Sequence, residues 1–437
     1  MSKVINIVVS TIFQDAGDAT RGIEIAKGIV KYSPPEYTPN ITFISRGSRF
    51  ENLVLEQGFN LYHALPQSDG VGERHDYKMT PSNFIGDKIL AQQLIEGEIN
   101  AYKELQPDLV LYGFWPPAGL AYRMMDRNII GVCYLPLPLT TEKFIEICTD
   151  IPEHVPIISS LPKSIRKNVL KYIPNTILKN VPPLKQSNIV WAAKQLGCKN
   201  VNNIFDLLKA DLTLVNDIPE NYCHVNFGET IKFTGPLYAA PYSKEIDSEI
   251  LNIISSNNKR LKIFCTLGSS GTEQLLKEIA KVFTSGPGLD WDAVILSPES
   301  ICPAEKIKAI CNNRPGVLVT DTFVPALEIN KLCDIVVCHG GQGTIQTALT
   351  CGTPIVGVAA QSEQFINLSN VEKMGCGIRL NHKKWKHQNI TNSILKIINN
   401  SNYKSSIVDI QKKISAIDGQ KKSAYLIWQH IKSADTF

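Results

Sequence analysis

The sequence predicts an α/β protein with two doubly wound parallel sheets. Short apolar, β-branched runs alternate with amphipathic stretches through both halves of the 437-residue chain, as expected when helices cover a parallel sheet. A glycine-rich turn directly follows the apolar run 334–338, which is typical of the ligand-binding end of such a sheet. The length favours two or three domains.

The first domain is predicted to span residues 1–240. Helices are expected at 22–30 and at 87–105, where Pro107 ends the second helix because proline interrupts helical hydrogen bonding. The alternation places ligands at the carboxyl ends of the strands. The expected strands are 5–11, 40–45, 61–65, 108–112, 131–135, 210–215 and 231–237.

Residues 151–205 interrupt this alternation and form an irregular, basic, proline-containing insertion. Between positions 154 and 205 there is no acidic residue, whereas eight lysines and arginines are interleaved with apolar side chains. Two interpretations remain open. The lysines solvate the outer face of an acceptor-side insertion, or the segment is amphipathic and contacts an anionic membrane or a lipid-like acceptor.

The second domain is predicted at 259–403, after a Ser- and Asn-rich linker at 241–258. A long polar helix is expected near 404–431, and the final segment 404–437 is predicted to pack back on the first domain. The expected strands are 261–266, 293–296, 317–320, 334–338 and 354–358.

The composition argues against a nucleic-acid-binding protein and against a disulfide-stabilised one. The formal charge of +4 is small for this length and does not indicate a nucleic-acid binder. Eleven cysteines occur without any C-x-x-C pair, which favours a reducing compartment over a disulfide framework. We see no signal peptide and no apolar run near 18 residues, so we expect a cytoplasmic protein, with membrane association only through 151–205.

The glycine-rich turn reads His-Gly-Gly-Gln-Gly-Thr at 339–344. It lies between a predicted strand and a helix that Gly352 and Pro354 end. Backbone N–H groups converge at such a helix N-terminus, where the helix dipole also favours negative charge. Glycines let a phosphate approach the main chain, so the turn predicts an anion site.

Residues 339–367, which also contain Gly352-Thr353-Pro354, Glu363-Gln364 and Asn367, resemble the donor-binding signature of the UDP-dependent glycosyltransferases of family 1. The resemblance implies a GT-B fold, in which two Rossmann-like doubly wound domains face each other across a cleft. It also implies a UDP-sugar as co-substrate and no further cofactor.

The resemblance assigns three donor subsites. The diphosphate is expected at His339, Ser269 and the N–H groups of the turn, the nucleobase at 323–324, and the hexose at 363–364. The family usually has His or Gln where this chain has Ala326, a departure within the nucleobase segment. The full set is His339, Gly341, Gly343, Thr344 and Ser269 for the diphosphate, Phe323 and Val324 for the nucleobase, and Glu363 and Gln364 for the sugar.

No metal is expected at the site. The sequence Asp290-Trp291-Asp292 precedes a predicted strand, so it should lie at the sheet edge away from the ligand. Stabilisation of the leaving diphosphate is assigned instead to His339 and the N–H groups of the glycine turn.

The first loop supplies the candidate general base. Its Gly17-Asp18 pair resembles the variant found in sterol and glycopeptide glucosyltransferases, in which an aspartate replaces the family's histidine. Arg21 stands where that variant has proline, and Gly113 stands where a histidine base would have its orienting acid. Asp18 could instead only stabilise the helix N-terminus, and Asp15 is the alternative base.

The acceptor is expected to be hydrophobic, with Trp115 and Phe144 lining its site; the same aromatic residues would also suit a plain core. With the family resemblance, these residues predict an inverting, metal-independent hexosyltransferase. It would move a hexose, with glucose the favoured sugar, from a UDP-sugar to a hydroxyl of a hydrophobic small molecule or lipid. Two alternatives remain, a catalytically silent GT-B protein that binds a nucleotide sugar or a partner enzyme, and a nucleotide-sugar epimerase.

Overall fold

The computed structural model describes residues 2–14, 16–48, 50–126, 128–148, 165–166, 172–237, 245–256, 258–268, 271–322 and 324–435. These residues form two compact units. Unit 1 comprises the described residues between 2 and 148, between 172 and 237 and between 417 and 435, and unit 2 comprises 165–166 and those between 245 and 416.

Unit 1 contains a parallel sheet of seven strands in the described chain, in the order β3-β2-β1-β4-β5-β6-β7. Because β1 pairs with β2 on one side and with β4 on the other, the strand order reverses at β1, where ligands of such sheets bind. The strands are β1 (Lys3–Ser10), β2 (Tyr37–Ser45), β3 (Asn60–His63), β4 (Leu109–Tyr112), β5 (Ile130–Leu135), β6 (Leu212–Val215) and β7 (Ile231–Phe233).

The long helices α1 (Ala16–Lys31) and α4 (Lys88–Leu105) belong to unit 1. Asp87 begins α4 by accepting hydrogen bonds from the N–H groups of Ile89 and Leu90 at 2.8 Å, and Gln106 ends it in the left-handed conformation. The helices of this part are α1 (Ala16–Lys31), α2 (Glu51–Leu55), α3 (Glu73–Asp76), α4 (Lys88–Leu105), α5 (Pro116–Arg123), α6 (Phe144–Ile147), α7 (Asn175–Leu178), α8 (Pro182–Lys185), α9 (Ser187–Gln195) and α10 (Ile204–Leu207), with a 3₁₀ turn at Pro219–Asn221.

The predicted insertion 151–205 lies partly outside the described residues. Its described part contains the short helices α7 to α9 and the start of α10. Helix α9 packs against α4, and the ammonium group of Lys88 lies 4.8 Å from the ring centre of Trp191. This part of the insertion therefore belongs to the packed body of unit 1.

Unit 2 contains the parallel sheet β10-β9-β8-β11-β12-β13. Its strands are β8 (Leu261–Thr266), β9 (Trp291–Leu296), β10 (Val317–Thr320), β11 (Ile335–Cys338), β12 (Ile355–Val358) and β13 (Gly377–Leu380). Its helices are α11 (Ser248–Ile254), α12 (Glu273–Val282), α13 (Ala304–Ile310), α14 (Ala326–Lys331), α15 (Gln342–Cys351), α16 (Ser362–Lys373), α17 (His387–Ile398) and α18 (Ser401–Ser415), with 3₁₀ turns at Gly286–Asp290 and His382–Lys384.

The segment predicted as the linker 241–258 contains helix α11. Asp247 caps this helix by accepting from the N–H of Glu249 at 2.8 Å, and Ile250 and Ile254 are buried. The helix packs against β9 and β10. Its polar composition suggested a linker, but two buried isoleucines one turn apart make it part of unit 2.

The single terminal helix predicted near 404–431 is two helices. Asp418 separates them, because its carboxylate accepts from the N–H of Lys421 at 2.8 Å and so begins a new helix, α19 (Gly419–Asp435). Helix α18 remains in unit 2, whereas α19 packs against α1 of unit 1. There Trp428 stacks on Tyr37 and its indole N–H donates to the carbonyl of Ile29 at 3.1 Å.

Within the described ranges, none of the helices combines the length and the apolar character needed to cross a membrane.

Candidate active site

The glycine turn of unit 2 joins β11 to α15. Gly340 has φ +90°, and a Cβ atom there would lie 2.6 Å from Leu368 Cγ and 3.0 Å from the carbonyl oxygen of Gln364. Glycine is therefore required both by the left-handed backbone and by close contact with α16. Gly341 is the N-cap residue of α15.

His339 is 6% exposed, and its ring is enclosed by two glycines. A Cβ atom at Gly268 would lie 2.9 Å from His339 Nε2, and one at Gly341 would lie 2.6 Å from the same atom. Burial lowers the pKa of His339 to about 4, although hydrogen bonding to the backbone of Thr266 opposes this shift. The imidazole is therefore neutral at pH 7 and offers a hydrogen bond rather than a charge.

Gly343 occupies the first turn of α15 and is exposed. A Cβ atom there would meet no other atom within 4 Å, so the space beside this N–H is open. Thr344 follows it and is half-buried. The first-turn N–H groups of a helix have no intrahelical acceptor. The N-terminus of the ten-residue helix α15 therefore presents N–H groups that suit an anion, beside the open space at Gly343.

The residues predicted to hold the sugar lie in the first turn of α16. The Glu363 carboxylate accepts a hydrogen bond from the side-chain amide of Asn367, and the same amide donates to the carbonyl of Gly340 at 3.1 Å. Asn367 thus connects the acidic residue of the signature to its glycine turn. Its i, i+4 spacing from Glu363 was the available sequence signal for this link.

Gln364 is buried and acts as part of a capping box. Its side-chain oxygen accepts from the N–H groups of Ala360 at 2.8 Å and Gln361 at 3.2 Å. The side-chain carbonyl oxygen of this residue, which is predicted to bind the sugar, therefore holds the N-terminus of α16.

The predicted nucleobase segment is described only in part. Phe323 lies outside the described residues, as does Ser269 of the predicted diphosphate site. Val324 is buried directly before Pro325, the N-cap residue of α14. Its side chain therefore packs inside unit 2.

In unit 1, the Asp18 carboxylate is buried in the first turn of α1 and fixed on both sides. Its Oδ2 accepts from the Phe114 N–H at 2.9 Å and from Thr11 Oγ1 at 3.3 Å, while Oδ1 pairs with Arg21. A Cβ atom at Gly113 would lie 2.7 Å from Asp18 Oδ2. A side chain at 113 would therefore displace this carboxylate, which explains why no orienting acid stands there.

The other first-domain candidates have different surroundings. Asp15 lies outside the described residues. Trp115 is 1% exposed, and its indole N–H donates to Glu98 at 2.8 Å. Phe144 is buried with its ring centre 6.3 Å from that of Phe205. Both aromatic rings expected to line an acceptor site are thus packed inside unit 1, because polar and aromatic partners distant in sequence enclose them.

Asp292 of the Asp-x-Asp sequence is buried near the start of β9. Burial pushes its pKa upward, but hydrogen bonds from Lys262 and Asn258 and the charge of Lys262 hold it below its usual value. Lys262 Nζ lies 2.6 Å from Asp292 Oδ2. The strands β9, β8 and β11 are parallel, so the start of β9 and the end of β11 lie at opposite ends of the sheet. This aspartate therefore forms a buried ion pair away from the glycine turn.

Known proteins are similar to this chain in sequence. The family model of the erythromycin biosynthesis protein CIII-like C-terminal domain matches residues 292–418. The PGL/p-HBAD biosynthesis rhamnosyltransferase of Mycobacterium bovis (strain BCG / Pasteur 1173P2) is 26% identical over 220 residues, or 49% of this chain and 45% of that protein. A protein described as uncharacterized UDP-glucosyltransferase YojK of Bacillus subtilis (strain 168) is 29% identical over 121 residues, or 28% of this chain and 30% of that protein. The matched region spans less than half of each relative.

Solved structures are similar over nearly the whole chain. The glycotransferase of kitacinnamycin has a TM-score of 0.68 at 18% identity, with 98% of this chain and 99% of that chain covered. The spinosyn rhamnosyltransferase SpnG complexed with thymidine diphosphate has a TM-score of 0.57 at 14% identity, with 97% and 99% covered. The two parallel-sheet units are therefore those of a GT-B fold, which confirms the predicted fold class. The matched domain and the sequence relatives thus make this chain similar to glycosyltransferases, and the solved structures show its GT-B fold.

Proposed function

We propose that this protein is an inverting, metal-independent glycosyltransferase that moves a hexose from a UDP-sugar to a hydroxyl of a hydrophobic small molecule or lipid. One observation carries the proposal. A buried neutral histidine, a glycine turn and an open helix N-terminus meet at the end of β11, in a GT-B fold. This arrangement suits a diphosphate leaving group.

The donor would be held mainly by main-chain groups. The N–H groups of Gly343 and Thr344 would bind phosphate oxygens, and His339 would donate one further hydrogen bond from its neutral ring. Preorganised donors of this kind typically contribute about 3–4 kcal/mol each to stabilising developing charge. They would do so without a divalent cation, and Ser269 would add a hydroxyl from the loop after β8.

The hexose would be oriented by Glu363, whose carboxylate Asn367 connects to the glycine turn. A carboxylate accepts hydrogen bonds from sugar hydroxyls, and glucose is the hexose that the family resemblance favours. UDP rather than thymidine diphosphate is likewise a proposal, supported by the donor signature and by the name of the Bacillus subtilis relative. Main-chain groups near 323–324 would contact the base.

Asp18 is the proposed general base, in a first loop of the sterol and glycopeptide glucosyltransferase type. Its carboxylate pairs with Arg21 and accepts from the Phe114 N–H, which fix its orientation. It would accept the proton late, when attack on the anomeric carbon has made the hydroxyl acidic. Its fixed orientation would favour proton transfer by holding the proton-accepting oxygen in place.

The acceptor and the location are further proposals. The interleaved apolar and basic residues of 172–199, of which Tyr172 and Ile177 are exposed, are compatible with a hydrophobic acceptor or with peripheral contact to an anionic membrane. We propose a cytoplasmic enzyme on the basis of its eleven cysteines, which are unpaired in the described chain.

The test is release of UDP from UDP-glucose in the presence of a panel of hydrophobic hydroxyl acceptors, with thymidine-diphosphate-glucose as the parallel donor. Transfer that continues in EDTA is expected. Binding of UDP without transfer to any acceptor would favour a silent binding protein, and UDP release or sugar isomerisation without acceptor would favour an epimerase. Transfer that stops in EDTA and returns with Mg²⁺ would refute the metal-free mechanism.

A further inference from the structure

Unit 1 contains a buried ion pair that the donor chemistry does not use. Glu98, in the middle of α4, is 0% exposed, and the side chain of Arg46, which follows β2, is 4% exposed. Arg46 Nη1 lies 2.8 Å from Glu98 Oε1. Removing two charges from water is expensive, and such pairs are often no more stable than apolar residues of similar size. The stability of unit 1 therefore does not by itself account for this pair.

Glu98 also binds the two segments that hold Asp18. Its oxygens accept from Ser10 Oγ at 2.9 Å and from the indole N–H of Trp115 at 2.8 Å. Ser10 is the last residue of β1 and directly precedes Thr11, whereas Trp115 directly follows Phe114. Thr11 and Phe114 are the residues whose donors contact Asp18 Oδ2.

Two acidic residues therefore connect the same two segments, the one after β1 and the one after β4. Asp18 connects them through the Thr11 hydroxyl and the Phe114 amide, and Glu98 connects them one residue earlier and one residue later. Because β1 and β4 are neighbours in the sheet, the separation of their ends determines where the Asp18 carboxylate can lie.

The main chain of Arg46 extends this connection to Gln14, in the loop between β1 and α1. Its carbonyl accepts from the Ser68 N–H at 2.6 Å, and Ser68 Oγ in turn accepts from Gln14 Nε2 at 3.0 Å. Gln14 Nε2 also donates to the carbonyl of Gly47 at 2.9 Å. The Arg46 guanidinium lies 5.4 Å from the ring centre of Trp115. The Arg46 main chain and the Glu98 carboxylate thus both contribute to joining the loops after β1, β2 and β4.

We propose that Glu98, with Arg46 as its counter-charge, is a positioning residue that holds the Asp18 carboxylate at the geometry needed for proton transfer from the acceptor hydroxyl. This inference rests on the proposed transferase function. It assigns the pair no contact with donor or acceptor. It therefore predicts a loss in kcat without a loss in donor affinity, because a displacement of about 1 Å can cost roughly 10²-fold in rate.

Paired variants separate positioning from stability. Glu98→Leu with Arg46→Met removes both charges together with the links to Ser10 and Trp115, and should lower kcat about 10²-fold while the Kd for UDP stays at the wild-type value. Glu98→Gln with Arg46→Met removes the charges but keeps an acceptor oxygen, and should return kcat to within a few-fold of wild type. The matched control is Lys262→Met with Asp292→Asn, which removes the buried ion pair of unit 2 and should leave kcat unchanged.

A second measurement does not depend on turnover. Hydrogen exchange of the Phe114 amide, which donates to Asp18, should become faster in the Leu/Met variant and recover in the Gln/Met variant. If the Leu/Met variant does not fold, Ser10→Ala, which cuts only the link from β1, decides with the same two readouts. Unchanged kcat and unchanged Phe114 exchange, or an equal loss of kcat in the control pair, would overturn the positioning role.

The two proposals fail in different ways. A wild-type protein that binds UDP but transfers to no acceptor refutes the proposed function, and the positioning role is rejected with it. An active wild type whose Leu/Met variant is equally active refutes only the positioning role of Glu98.

Discussion

The substitution Gly343→Ala should separate ligand binding from stability at the glycine turn. A methyl group at this position meets no protein atom within 4 Å, so the fold can accept it. Alanine is favoured over glycine within a helix by roughly 0.5–1 kcal/mol, and the free energy of unfolding should stay constant or rise by that amount. The same methyl group occupies the open space through which a phosphate would reach the N–H groups of α15.

Loss of one hydrogen bond to a charged group costs about 1.5–3 kcal/mol, which corresponds to roughly 10- to 150-fold weaker UDP binding. Calorimetric titration with UDP measures this change, and thermal unfolding of the same samples measures stability. Thr350→Ala, in the last turn of the same helix, is the control that changes helix propensity without changing the N-terminus. A Gly343→Ala protein with wild-type UDP affinity would show that the diphosphate does not approach the main chain here.

Three further predictions concern side chains of the site. Burial lowers the pKa of His339 to about 4, below the value near 6.5 in an unfolded chain. The contribution of the neutral His339 ring to the free energy of unfolding should therefore be fully present above about pH 6.5 and should fall by ~2.5 kcal/mol between pH 7 and 4.5. Urea unfolding of wild type and His339→Gln checks this, and an identical pH dependence in both would refute it. Glu363→Ala should keep the Kd for free UDP but raise the KM for UDP-glucose or lower kcat, and equal weakening of UDP binding would assign this residue elsewhere. Asp18→Asn should keep donor affinity while transfer falls by about 10²–10⁴-fold, and its melting temperature should drop because Arg21 loses the charge of its buried partner. A variant that retains its kcat would remove Asp18 from the mechanism and make Asp15 the candidate.

The alternation of strands and helices could be predicted because buried parallel strands are apolar along their whole length. Strand β13 (Gly377–Leu380) was missed because it is the edge strand of its sheet and mixes an arginine with apolar residues. Arg379 is acceptable there since its guanidinium lies 4.2 Å from the ring centre of Phe365, a contact that the local pattern does not contain.

The boundary between the two terminal helices is visible in the sequence. Asp418 followed by Gly419 is a typical start of a helix, and the structure begins α19 there. Helix α11 carried a weaker signal, because Ile250 and Ile254 lie in a polar segment and acquire their meaning only when they are packed against β9 and β10.

Side-chain roles within the signature were only partly accessible. The spacing of Glu363 and Asn367 is visible in the sequence, but the second hydrogen bond of Asn367, to Gly340, requires α16 to pack on the glycine turn. The use of Gln364 as a capping residue was hidden because its partner Gln361 is an unusual N-cap. The signature therefore predicted where these residues lie in the fold, but not which atoms their side chains contact.

The difference between the two units follows from their chain connections. In unit 2, β11 and β12 are neighbours both in sequence and in the sheet, so a signature of 29 residues, 339–367, places the glycine turn beside the start of α16. In unit 1, β1 and β4 are neighbours in the sheet but stand about a hundred residues apart in sequence. The surroundings of Asp18 are consequently assembled from Phe114, Glu98 and Arg46, which no local pattern connects. Ligand-facing substitutions within 339–367 should therefore change the binding or use of the donor, whereas substitutions around Asp18 should change the transfer step at constant donor affinity.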